Sequence, residues 1–176
     1  MRRLDGKEVV PHLTSAASIG RWAWIRSMVG ARFDSDVHNA RRLAEYRGAT
    51  PAETLQRFRA VVDRQTAASG HTAAWLGEVV VHAHDIRRPL GIEHTFPVES
   101  LMAVATFFAA RDFAVASATV SKGLRLDATD GPFTAGDGPL VSGPTLALVM
   151  VMAGRRAYLD DLTGPGATTI TQRLDV

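Results

Sequence analysis

The sequence predicts an α+β protein, with a mainly helical N-terminal part and a smaller C-terminal part that mixes helices with short strands. Three observations support this. Apolar residues recur at helical spacing along most of the first 91 positions. From Leu124 to Gly143 the pattern becomes an alternation of apolar and polar residues, broken by Asp-Gly and Gly-Pro, which marks short strands joined by turns. The run "GIEHTFP", residues 91–97, carries neither period and reads as the linker. The expected division is therefore 1–91, a helical bundle, and 92–176, an α+β module.

The first helix is expected to begin near Asp5, an N-cap with Glu8 three residues on. Val9, Val10, Leu13, Ala16, Ala17, Trp24, Ile25 and Met28 continue the apolar pattern, so one helix is expected to about Gly30, kinked near its start by Pro11. "ARFDSDVHNARRLAEYRG" is polar and loop-like, with a short helix at 38–46. In "TPAETLQRF", Thr50 is the N-cap, Pro51 the first helical residue and Glu53 the third, and this helix should run to about Ala67. The next spans Thr72 to Arg87 and is stopped by Arg88-Pro89. Its three consecutive valines favour a strand, but its length and abrupt stop favour a helix. A further helix is expected from Val98 to Val120. "LRLDATDGPFTAGDGPLVSG" supplies the strands, and "PTLALVMVMAGRR" a buried helix ending at Gly154. A shorter helix lies near Ala157–Leu162, "GPG" at 164–166 is a turn, and the tail is a strand or a short helix.

The composition, 46% hydrophobic and 22% charged, is that of an ordinary soluble globular protein. No apolar run reaches the roughly 18 to 20 residues of a membrane span. No apolar segment follows the basic N-terminus as in a signal peptide, so a cytoplasmic protein without a membrane partner is expected. Of 20 basic residues only Lys7 and Lys122 are lysine, and the Arg-Arg pairs at 2–3, 41–42, 87–88 and 155–156 are scattered and free of interleaved aromatics. Nucleic acid is therefore not an expected partner. Cysteine is absent, so any metal must be held by nitrogen and oxygen, and any thiol chemistry must use a thiol brought from outside.

"GEVVVHAHDIRRPLG", residues 77–91, sets ionisable groups into a segment that otherwise reads as core. On a helix Glu78 and His82 lie one turn apart, about 40° around and about 6 Å along the axis. Trp75, Val79 and Ile86 share that side, Asp85 sits at its edge, and His84 points to the opposite side, as a surface histidine or a supporting partner. Buried without partners, the carboxylate and imidazole would be costly. They either satisfy each other as an ion pair or hold a divalent metal with a third ligand from another helix. His12, in "EVVPHL", is the natural third donor. His71 is an alternative, but it lies about 16 Å along the axis from His82. His38 and His94 sit in polar, loop-like surroundings and read as solvated.

The segments "GKEVVPHL" at 6–13, "GEVVVHAHDIRRPLG" at 77–91 and "LRLDATDGPFTAGDGPLVSGPTLALVMVMAGRRAYLDDLTGPG" at 124–166 together resemble the mycothiol-dependent maleylpyruvate isomerase family, within the DinB-like metal-binding helical bundles. The resemblance implies a bundle that binds zinc, or another divalent metal, through His12, Glu78 and His82. It implies a C-terminal module with an arginine facing the active site, Arg155 or its neighbour Arg156, in a catalytic and cofactor-binding role. The competing reading of these arginines is a helix C-terminal charge complementing the dipole. The resemblance also implies that the open metal position takes the thiol of mycothiol as thiolate. The thiolate would add to the cis double bond of a maleyl compound, allow rotation, and leave to give the trans isomer, with the arginine holding a substrate carboxylate.

Two features depart from the family pattern. A helix that should precede "VVPHL" is missing, so either the gene start is set too late or the bundle is shortened, its exposed apolar faces then calling for a homodimer partner. Pro11 directly precedes the metal-ligand histidine, where it could shift the ligand. Two other functions compete with a zinc and thiol-dependent enzyme acting on a small molecule. One is a non-catalytic metal-binding or interaction protein. The other is a sterol-carrier-like binder of apolar ligands, suggested by "LVSGPTLALVMVMAGR".

Overall fold

The computed structural model describes residues 6–66 and 69–175, so the expected cap at Asp5 lies outside the described residues. The chain is α+β and divides into two compact units, Met1–Gly91 and Ile92–Val176. Among the described residues no helix is long and apolar enough to cross a membrane.

The first unit contains α1 (Gly6–Ala16), α2 (Arg21–Gly30), α3 (Ser35–Tyr46), α4 (Pro51–Arg59) and α5 (Thr72–Arg87), the last followed by a short 3-10 turn, Arg88–Leu90. Helix α1 is the hub, packing against α3, α4 and α5. Its Val9, Pro11, Thr14 and Ser15 are buried, and Thr14 is satisfied by donating its hydroxyl to the Val10 carbonyl at 2.8 Å. Pro11 lies inside α1, which continues through it.

The single helix expected to Gly30 is in fact two. The Ser18 hydroxyl donates to the Thr14 carbonyl at 2.7 Å, the amides of Ser18 and Ile19 both turn back to the Ser15 carbonyl, and Gly20 is extended. The break lets Ile19 enter the core, where it is 5% exposed. Trp24, Ile25 and Met28 therefore belong to a different helix from Val9 and Leu13.

Helix α3 starts earlier than expected because the Asp34 carboxylate accepts from the amides of Asp36 and Val37, satisfying donors left orphaned by the first turn. Helix α4 has the expected cap, Thr50 Oγ1 accepting from the Glu53 amide at 3.1 Å, while the Glu53 carboxylate accepts from the Ala49 amide at 2.7 Å. It ends at Arg59, short of Ala67, because the chain turns at Ala60 to Asp63 and puts Val61 into the core at 5% exposure. Helix α5 spans the expected residues.

The second unit contains α6 (Val98–Ala110), α7 (Ser117–Ser121), β1 (Arg125–Ala128), β2 (Thr134–Ala135), β3 (Leu140–Gly143), α8 (Thr145–Met152), a 3-10 helix (Arg156–Asp161) and α9 (Ala167–Leu174). The helix expected to reach Val120 breaks at Arg111, which is extended. Asp112 accepts from the Thr119 amide and hydroxyl, and Ser117 donates to the Arg111 carbonyl, so local side-chain bonds replace the helical ladder.

The sheet order is β2-β1-β3. Strand β1 pairs antiparallel with β2 (Leu126 opposite Ala135) and parallel with β3 (Leu126 opposite Val141). At Gly136 the backbone has φ +72, and a Cβ would lie 2.3 Å from the Leu124 carbonyl oxygen, so only glycine fits. Helix α8 is the core of this unit. Leu148, Val149, Met150, Val151 and Met152 are all fully buried. Each such side chain contributes about 1.5–3 kcal/mol relative to exposure. Its first amide, at Thr145, donates to the carboxylate of Asp130, fifteen residues upstream, at 2.8 Å.

Candidate metal centre

Helix α1 carries His12, and α5 carries Glu78 and His82 one turn apart. Because α1 packs directly on α5, residues 66 positions apart meet. His12 Nε2 lies 3.1 Å from Glu78 Oε2, and His82 Nε2 lies 3.3 Å from the same oxygen. The two rings stand edge to face with centroids 5.0 Å apart. The side chains are sheltered, His82 at 5% exposure, His12 at 15% and Glu78 at 19%.

One ligand atom from each residue falls within 4.8 Å of the other two, so the group could hold a metal ion. Two donors about 2.0–2.1 Å from one tetrahedral ion stand about 3.3 Å apart, close to the carboxylate–imidazole separations here. The donor set, two imidazoles and one carboxylate, is one that catalytic zinc sites use.

Asp85, one turn beyond His82, places Oδ2 3.1 Å from His82 Nδ1 and is itself only 9% exposed. With Nδ1–H donating to this carboxylate, His82 Nε2 is the atom turned to Glu78. Such a carboxylate–histidine couple orients a metal-binding imidazole and raises its basicity. Burial alone would raise the Glu78 pKa. The hydrogen bonds from His12 and His82, together with their charge, outweigh burial and hold it at about 2. A cation bound between the two imidazoles and the carboxylate would take the place of these contacts.

The remaining histidines divide differently from expectation. His84, expected at the surface, is buried at 6% exposure, because α5 is covered on more than one side and also buries Ala74, Gly77, Val80 and Val81. His38, expected in solvent, is buried at 7% on α3 and packs edge-on to Trp24 with centroids 6.0 Å apart. Burial first, then the charges of Arg42 and His12, hold its pKa below the ordinary histidine value, against an opposing hydrogen bond at the Ser27 backbone. His71 is exposed at the start of α5 and outside the ligand group, and His94 is exposed beside Phe96.

Arg155 and Arg156 lie in the second unit, just past α8. Arg155 donates to the Ala153 carbonyl at the helix C-terminus, the dipole-complementing contact. Arg156 pairs with the Asp175 carboxylate and donates to the Leu174 carbonyl. Asp85 lies at the edge of the Glu78/His82 face in the sequence pattern, which by itself gives it no role. Its i+3 spacing from His82 was the available signal.

Fold and site together define an α+β protein of two units whose helical unit carries a His/Glu/His group able to hold a metal ion. Comparison with protein-family models, curated proteins and solved structures finds no match to this chain.

Proposed function

We propose that this protein is a zinc-dependent enzyme of the DinB-like kind that uses a low-molecular-weight thiol, mycothiol or a relative, to isomerise a maleyl-type double bond or to transfer the thiol. The observation that carries the proposal is the convergence of His12, Glu78 and His82 from two helices, with Asp85 behind His82. His12 and His82 would hold the cation through Nε2 and Glu78 through Oε2. Bound there, zinc would supply the Lewis acidity that lowers the pKa of an incoming thiol. Asp85 fixes the His82 tautomer. The lack of any cysteine fits a centre that acts on a thiol from outside.

One further reading has its own support. The three side chains also satisfy one another by hydrogen bonds at 3.1 and 3.3 Å, so they could tie α1 to α5 as a structural cluster in a non-catalytic protein. Metal analysis separates the two. The enzyme reading expects zinc near one equivalent in the purified protein, lost in His12→Ala and in His82→Ala. It then expects thiol-dependent turnover of a maleyl substrate. Metal-free protein that refuses added zinc at neutral pH would leave the structural cluster. Zinc-loaded protein inert with every thiol tried would leave a metal-binding module.

A further inference from the structure

We infer that the groove beside the cluster binds a small molecule with an apolar body and one carboxylate, and that Arg64 holds the carboxylate. Within the helical unit a cavity of about 640 Å³ opens between α1, α5 and the turn after α4. That is in the range of small-molecule sites, roughly 300–1,000 Å³, and larger than a compact diacid fills. Leu13, Phe58, Val61, Val62, Trp75 and Val79 make its walls apolar. Val62 is 61% exposed and Val79 49%, apolar surface that an occupant would take out of water. The Trp75 indole N–H donates to the Ser69 carbonyl at 2.9 Å, which fixes the ring as a wall and holds the preceding turn against α5.

Among the described residues two charged side chains line this cavity, those of Glu78 and Arg64. The Glu78 carboxylate is engaged by His12 and His82. Arg64 pairs with no carboxylate among the described residues. The cavity therefore offers one cation, solvent-exposed Arg64, beside its apolar walls, and a planar guanidinium prefers a carboxylate that it can bind through two parallel hydrogen bonds. Glu78 is the one cluster residue in the lining, so an occupant anchored on Arg64 extends toward the candidate centre. The inference rests on the enzyme reading in one respect, that the occupant is the substrate, which makes the substrate a maleyl-type acid with its one carboxylate on Arg64 and an apolar group at its other end.

The test uses the full chain with Trp22→Phe and Trp24→Phe, which leaves Trp75 as the reporter, titrated with phenylbutyrate and with its uncharged amide. A saturable change in Trp75 fluorescence is expected with the acid. Arg64→Gln should weaken the acid by up to about fivefold while leaving the amide unchanged, and Arg64→Lys should recover part of the loss. Three results would each overturn the inference. They are no saturable signal, equal weakening of acid and amide by Arg64→Gln, or a Trp75 signal that changes with protein concentration because a second copy covers the groove. Running the titration on zinc-loaded and chelator-treated protein separates the two proposals. Acid binding without zinc binding upholds the cavity and removes the metal centre, whereas zinc binding without acid binding does the reverse.

Discussion

Asp85→Asn probes the candidate centre without touching a ligand. Asp85 Oδ2 is 3.1 Å from His82 Nδ1, and both side chains are below 10% exposure, so solvent does little to screen the pair. Asparagine keeps the shape and can still accept from Nδ1–H, but it removes the charge that makes Nε2 a better donor. Supporting carboxylates of this kind are worth about 10–100-fold in metal affinity. That corresponds to about 1.4–2.7 kcal/mol. The asparagine variant should fall near the lower end. Asp85→Ala should fall near the upper end, because it also removes the partner that orients the ring and leaves a buried N–H unpaired. The assay is competition for zinc against a chromogenic chelator at neutral pH, with circular dichroism to verify helical content. Both variants binding zinc within about twofold of the parent, with helicity intact, would refute the argument that Asp85 orients His82 as a ligand.

Three further outcomes are expected. His38 sits below its unfolded value of about 6.5, so as pH falls below that value the unfolded chain takes up the proton first. The stability tied to neutral His38 is then present above pH of about 6.5 and lost as pH falls through the lower folded value. His38→Gln should flatten the fall in urea midpoint between roughly neutral and mildly acidic pH. Leu148→Ala, at a fully buried position of α8, should cost about 2–5 kcal/mol in urea unfolding of the second unit. Thr50→Ala should cost about 1 kcal/mol by removing the acceptor for the Glu53 amide, read as a lower thermal midpoint.

Much of the helical layout can be read from local signals. Thr50-Pro51 and Arg88-Pro89 mark ends whose causes lie within one turn of chain, and α5 emerges with the expected bounds. The breaks at Ile19 and Arg111 were not legible. They depend on side-chain hydrogen bonds to the backbone, from Ser18 in one case and from Ser117 and to Asp112 in the other, and polar residues of this kind also occur inside helices. At the site, Glu78 and His82 follow from one-turn spacing, whereas the burial of His84 and His38 does not. A helical wheel gives direction but says nothing about whether another element covers the far side.

By itself, then, the sequence determined the α+β class, the residue limits of α5, and the chemistry available: nitrogen and oxygen ligands and no internal thiol. Helical period and capping act over a turn or two, and composition needs no geometry. Only the tertiary structure decided that His12 reaches Glu78, that Asp85 backs His82, and that an apolar cavity with Arg64 at its wall adjoins them. These depend on which faces of separate helices come together, an outcome of packing summed over the whole unit.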